Sequence, residues 1–459
     1  MTKSIEKTEG VDILLGDPKK AILKLSLPLI IGMIINYSYT LIDGIWVAGL
    51  GSDALAATGF IIPLYFIGIG LANGIGTGAA VIISQYIGSE DKIQANNAAF
   101  HVLILIIFIS VLSTILGLLF LKPMLSILRA GSTLDLAYQY GSIFIGGSFF
   151  MFFINASYGI LRGEGNVKKA TYAIILGAIL NILFDPVFIY YFSLGISGAA
   201  YASILSIIIV SIILIKWFKK DTYIEFSYKN FTYDKTILKR ILYVGLPAGA
   251  EFLILATETF IINIFLTIVS GIQGVAIYSA GWRFILFTIV PLTAISLSVV
   301  SVTGASYGGK RFQNLLIIRN YAIKLEILIS IFIATVTFIF AKDIAQIFAY
   351  SNQTQSFFDG MIVFLRNLCF FILFIPIGSI AGSIFQGLGR GFDSLILALI
   401  REFILVIIIA YIFAITLSMG ENGVWLGIVV GNIIGSLFAF IYSQIAIKNI
   451  SINAEKNTN

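Results

Sequence analysis

Cysteine and histidine occur once each, at Cys369 and His101, which leaves no internal disulfide and no zinc constellation. Redox and metal chemistry have little to work with. Charge is scarce as well: Asp, Glu, Lys and Arg supply 11% of 459 residues, against about 25% in a soluble domain. So few charges cannot cover a water-facing surface. The polar first twenty residues contain no short apolar core with a small-residue cleavage site, so no cleavable signal peptide is expected. One phosphate-loop lookalike, GASYGGK at 304–310, has Arg311 where a Ser or Thr should follow. It also closes an apolar helix instead of following a strand, and reads as a glycine turn before a basic loop.

What the chain does have is hydrocarbon, with 59% hydrophobic residues gathered into bilayer-length runs. These fall at 21–48, 54–87, 95–121, 135–161, 170–193, 196–218, 238–268, 274–307, 316–341, 356–386, 392–417 and 423–447. None alternates as a barrel strand would, and a helix satisfies its own peptide groups in lipid. The runs also repeat. SLPLIIGMIINYSYTLIDG at 26–44 answers to GLPAGAEFLILATETFIIN at 245–263, ILRGEGN at 160–166 to IFQGLGR at 384–390, and LGISGAA at 194–200 to MGENGVW at 419–425. The offset drifts only from 219 at Pro28/Pro247 to 225 at Gly198/Gly423, as expected of one duplicated unit. The expected fold is therefore an all-α polytopic membrane protein of twelve transmembrane helices, arranged as two pseudo-symmetric six-helix bundles. Residues 1–20 form an amino-terminal tail, 21–218 the first bundle, 219–237 a charged linker, 238–447 the second bundle and 448–459 a tail. Duplicated bundles of this kind are typical of secondary transporters.

Lys and Arg are distributed unevenly between the two sides. Lys122, Arg129 and Lys342 fall on one side, and Arg283, Lys324, Arg366 and Arg401 fall inside spans. All the others lie on the side of both termini, so the positive-inside rule puts both termini in the cytoplasm, with the protein in the cell membrane. The net charge of +6 then reads as topology and attraction to anionic lipid, with no nucleic acid implied.

The informative residues are acids within spans, because a carboxylate in the bilayer costs a few kcal/mol unless it is paired, protonated or wet. Asp43 shares a helical stripe with Asn36 and Thr40, and Asp185 lies at i+4 from Asn181, with Pro186 next to free a carbonyl and kink the helix. Asn155 and Ser203, at comparable depth, complete a candidate oxygen-rich pocket. Oxygen ligands suit a hard cation such as Na+, and two carboxylates held close would also bind a proton. The duplication acts as a control: the positions matching Asp43 are Ile262 or Asn263, and those matching Asn181 and Asp185 are Leu405 and Ile409. Acids needed only to build a bundle would be expected in both halves.

The second half carries Glu251 and Glu258, Arg283, Arg366, and adjacent Arg401 and Glu402. Glu258 fits either a substrate or proton relay or a buried pair with Arg283 or Arg366. Neighbouring helix positions diverge by about 100°, so Arg401 and Glu402 are expected to pair with other spans. Lys324 and Glu326 are read as snorkelling, His101 as a packing residue, and GEG at 163–165 as a plain turn.

LPLIIG, TLIDGIWVAGLGSDALAA, QYIGSED, ILRGEGN, NILFDPVFIY and LGISGAAYAS, echoed by LPAGAE, FLRNL and IFQGLGR, resemble the multidrug and toxic compound extrusion (MATE) family of the wider multidrug, oligosaccharide-lipid and polysaccharide (MOP) exporter superfamily. The resemblance spans about Lys20 to Lys448. It implies two bundles in a V around a central cavity, and export of amphipathic, often cationic, compounds in exchange for Na+ or H+. It further implies an amino-terminal cation site at Asp43, Asn181 and Asp185, as in the DNA-damage-inducible (DinF-like) branch, with Asn155 and Ser203 as added polar positions. No acid lies between Met361 and Gly389, so the carboxy-terminal cation site of the other large prokaryotic branch is not expected, although Glu258 resembles its span-7 glutamate. Expected partners are small amphipathic or cationic molecules and membrane lipids; the chain should be a monomer without a resident cofactor. A flippase for lipid-linked sugars would share this fold and use Arg283 and Arg366 on pyrophosphate. A membrane-embedded enzyme would have only the Asp pair to work with.

Overall fold

The structure is a computed structural model and describes residues 7–128, 130–226, 231–348 and 358–456. Arg129, assigned above to the outer side, lies outside the described residues, as do the ends of both tails. Among the described residues there is no strand, and helix follows helix: α1 Glu9–Leu15, α2 Pro18–Ala48, α3 Ser52–Gly88, α4 Lys92–Ile127, α5 Leu134–Gly146, α6 Ser148–Gly163, α7 Val167–Pro186 and α8 Gly195–Lys220. The second half contains α9 Lys235–Thr288, α10 Val290–Gly308, α11 Gln313–Ile339, α12 Ala341–Phe348, α13 Phe358–Gly387, α14 Gly391–Ala398, α15 Leu405–Tyr411 and α16 Gly420–Lys456.

Eleven of these segments are long and apolar enough to cross a bilayer, and the pair α5/α6, bent by 49°, makes a twelfth. The 54-residue α9 would extend about 80 Å as one straight rod, far beyond a hydrocarbon core. It breaks at Gly271, whose φ of 64° and ψ of −153° are open only to glycine, so 235–270 and 272–308 are separate crossings. Residues 9–15 of the amino-terminal tail form α1, whose Val11 and Leu14 are buried, because its Gly10 lets the backbone close onto the 164–166 turn. At the other end α16 continues helical to Lys456.

The duplication is visible in the backbone. Positive φ recurs at matched positions: Gly51 with Gly271, Glu90 with Lys310, Gly165 with Gly389, Ser193 with Ser418 and Gly195 with Gly420. The π-helical turn Val187–Tyr191 that follows α7 recurs as Ile412–Thr416 after α15. In each half a glycine sits against that turn, Gly198 on Phe188 and Gly423 on Phe413 and Ala414, where a Cβ would collide with main chain.

The chain forms two compact units, Met1–Asp17 with Leu27–Gly249, and Pro18–Ser26 with Ala250–Asn459. Helix α2 therefore starts in one unit and continues in the other just before Pro28, and the first turns of α9 belong with the first unit. In the first unit α3 and α6 meet backbone to backbone at Gly76 and Gly159, small residues that let lipid-embedded helices pack by van der Waals contact. In the second, Trp425 is fully buried, stacked on Tyr278 at 6.1 Å and edge-on to Phe364 at 4.8 Å. Large apolar side chains such as Phe108, Phe260 and Phe332 stay exposed, which suits a lipid-facing surface.

Linker residues 221–226 and 231–234 are strapped to the first unit. Ile224 is buried, Glu225 pairs with Lys92 at 2.6 Å, and the Asp234 N–H donates to His101 Nε2 at 2.9 Å. His101 Nδ1 in turn donates to the Asn97 carbonyl at 2.8 Å, so the ring is a packing clamp. Gly159→Val should collide with the Gly76 carbonyl and cost about 1–3 kcal/mol, seen as a lowered thermal midpoint in detergent. Gly59→Val, with open space around its Cβ, should leave that midpoint nearly unchanged.

Candidate functional site

α2 and α7 bring Asp43 and Asp185 face to face, with their carboxyl groups near enough to share a proton. Asp185 is fully buried, and neither of its carboxylate oxygens receives a hydrogen bond from a protein donor. One turn earlier Asn181 donates from Nδ2 to Ser203 Oγ on α8 at 3.0 Å, and its buried Oδ1 is also left without a donor. Buried acceptors are nearly always satisfied. Three orphan oxygens beside a second carboxyl therefore form an acceptor-rich pocket, suited to a proton or a small hard cation. Pro186 ends α7 and the π turn follows at once, so the irregular backbone begins next to the acid.

Other expected members are placed differently. Asn155 Nδ2 donates to the Met151 carbonyl of its own helix at 2.9 Å, which leaves its Oδ1 as the acceptor atom. Thr40 Oγ1 likewise donates to the Asn36 carbonyl at 3.0 Å, and both side chains are exposed on α2. Glu258 lies in the second unit, buried, within electrostatic reach of Arg401 and Glu402. Arg366 instead lies over the Phe338 ring, 5.2 Å from its centre. Arg401 and Glu402, expected to pair with other spans, pair with each other. They sit in the π turn Leu399–Ile404, and the long guanidinium arm packs where a Cβ at Gly378 or Gly435 would collide with it, so it can bend back along its own helix. Nor does Glu326 snorkel: it is fully buried and accepts hydrogen bonds from Ser296 at 3.2 Å and Ser379 at 3.1 Å. Glu251 accepts from Ser394 at 2.8 Å and from Gln386.

Two features were not anticipated. The phenols of Tyr39, Tyr65 and Tyr140 stand within electrostatic reach of Asp43, placing polar, polarisable groups around the pair. Tyrosines are common in membrane spans, and only their spacing relative to Asp43 could have flagged them. Glu164, read as part of a plain turn, is fully buried beneath the linker, where its Oε2 accepts from the Ile224 N–H at 3.0 Å. Among the described residues, no three His, Cys, Asp or Glu side chains cluster as a metal site.

Fold and site define a polytopic membrane transporter. The MatE family model matches the chain twice, over residues 28–187 and 247–412, in step with the duplication. Multidrug export protein MepA of Staphylococcus saprophyticus is 23% identical over 92% of each chain, and an FAD transporter of Shewanella oneidensis is 26% identical over 78% of each. The solved structure of a MOP superfamily transporter from Pyrococcus furiosus is 38% identical and superposes with a TM-score of 0.94, covering 97% of this chain and 99% of that one. The chain belongs to the MATE family of transporters, and is not an enzyme.

Burial pushes the Glu164 carboxyl up to about 7, against hydrogen bonds from Ile224 and Asn166 that pull it down. An acid raised in the folded state favours the protonated form, so the strap is firmest below the free glutamate value of about 4.3 and loosens as pH rises through about 7. Hydrogen exchange at the Ile224 amide, corrected for intrinsic rate, should quicken over that interval in the wild type and stay flat in Glu164→Gln. A flat wild-type profile would contradict this linkage.

Proposed function

We propose that the chain exports amphipathic, often cationic, small molecules across the cell membrane in exchange for Na+ or H+, with Asp43 and Asp185 as the coupling unit. One observation carries the reading: Asp185 is buried with both oxygens unsatisfied and faces a second carboxyl, a state that a cation or proton relieves. Asn181 Oδ1 adds a third acceptor and Ser203 holds that amide in place. The relative named as a multidrug export protein supports the substrate class. Within the family, Asp43, Asn181 and Asp185 favour the DNA-damage-inducible branch. A lipid-linked sugar flippase has less support, since an acidic pair is poorly suited to pyrophosphate and Arg366 is engaged with a phenyl ring.

Coupling follows from linkage. A cation that binds the Asp pair changes how α2 packs on α7, and whatever the substrate prefers between the two packings appears as exchange. Alternating access then moves the two units, which divide before Leu27 in α2 and before Ala250 in α9, as two bodies. Both termini face the cytoplasm in this reading, on the strength of the Lys and Arg distribution, and the transporter works as a monomer.

Asp43→Asn and Asp185→Asn should each keep expression and folding, because a neutral amide is cheaper in a bundle than an unpaired carboxylate. Each should slow gradient-driven efflux of a cationic dye from vesicles by more than about tenfold, equivalent to ~1.4 kcal/mol. Imposing a sodium gradient or a pH gradient separately identifies the ion, and an anionic dye serves as the substrate control, since FAD is anionic. Glu402→Gln should act mainly on stability, costing about 2–3 kcal/mol by stranding Arg401. Wild-type efflux by both Asp variants at equal protein level would refute the coupling unit.

A further inference from the structure

In the second unit, Lys19 from the start of α2 and one face of α11 line a groove of about 500 Å3. The face is made by Ile317, Asn320, Tyr321, Lys324 and Leu328, spaced three or four residues apart as a helical stripe requires. Leu328 is 57% exposed, so the groove opens sideways onto surface that a bilayer would cover. Lys324 lies eleven residues beyond Gln313, about 16 Å along the helix, and its long stem can carry the ammonium back toward that end of α11. Among the described residues, neither Lys19 nor Lys324 shares an ion pair with a carboxylate.

Snorkelling alone would explain one such lysine. It does not explain two lysines converging on one apolar groove, where, among the described residues, neither has a carboxylate partner. We propose that this groove holds one anionic phospholipid, its phosphate between Lys19 and Lys324 and an acyl chain along Ile317, Leu325 and Leu328. An amphipathic cation, the substrate class argued above, would be repelled by the lysines, and a free phosphate would leave the apolar lining unused. The bound lipid would brace residues 18–26 on α11, just before α2 passes to the first unit near Pro28.

Native mass spectrometry of the full-length protein, extracted from phosphatidylcholine vesicles containing phosphatidylglycerol, tests the site. The wild type should retain one phosphatidylglycerol in preference to phosphatidylcholine. A lysine near the membrane surface contributes about fivefold to anionic-lipid binding, so the Lys19→Gln/Lys324→Gln double variant should lose on the order of thirtyfold. Lys219→Gln/Lys220→Gln removes the same charge elsewhere and should retain the lipid. A photoactivatable phosphatidylglycerol should label α11 in the wild type, a readout that does not depend on the variants folding. Equal retention by both double variants, equal retention of phosphatidylcholine, labelling confined to other helices, or displacement of the lipid by inorganic phosphate would each overturn the proposal.

Discussion

Hydrocarbon offers no hydrogen bonds, so each peptide group and each charge that enters it must find its partner within the protein. Most of this chain follows from that constraint. Its backbone satisfies itself by staying helical, and its breaks occur where glycine or a π turn absorbs them, at Gly271, Val187–Tyr191 and Ile412–Thr416. Several acids within its spans are similarly provided for. Glu326 has two serines, Glu251 a serine and a glutamine, and Glu402 an arginine. Asp185 is different, because the protein around it supplies no donor.

The two halves share their construction and differ in their acids. Both keep the paired positive-φ turns and the glycine seat beneath the π turn, which belong to the construction of a bundle. The Asp pair occurs only in the first half, where the second has Ile262 or Asn263 and Ile409. In the second half, the charge of Arg401 reaches Glu251, Glu258 and Glu326 as well as its neighbour Glu402. One arginine lies within electrostatic reach of several glutamates there, whereas among the described residues no basic side chain acts on the aspartate pair.

The twelve apolar runs and their repetition were legible in the sequence because the bilayer imposes length and hydropathy on every span. Asp43 and Asp185 stood out for the same reason, as charges in runs that otherwise exclude them. Asn181 and Ser203 could be placed by stripe and depth, and they share a hydrogen bond. The bond from Asn155 Nδ2 to its own i−4 carbonyl was not legible, because an amide's choice of acceptor is decided by local packing. The pairing of Arg401 with Glu402 depends on a π turn and on glycines from two other helices, a tertiary fact with no local signature. Glu164 looked like turn chemistry because nothing in ILRGEGN reveals that residues 223 and 224 fold down over it.

If Asp43 and Asp185 form one cation site, removing either should cost as much as removing both. Cation affinity, as Na+ binding and as proton uptake, can be measured on the purified wild type, the two single Asp→Asn variants and the double variant as a thermodynamic cycle. The account predicts that each single variant already loses the full binding free energy, so the double variant is no worse. Losses that add independently would show two separate groups with no shared ion, and would contradict it.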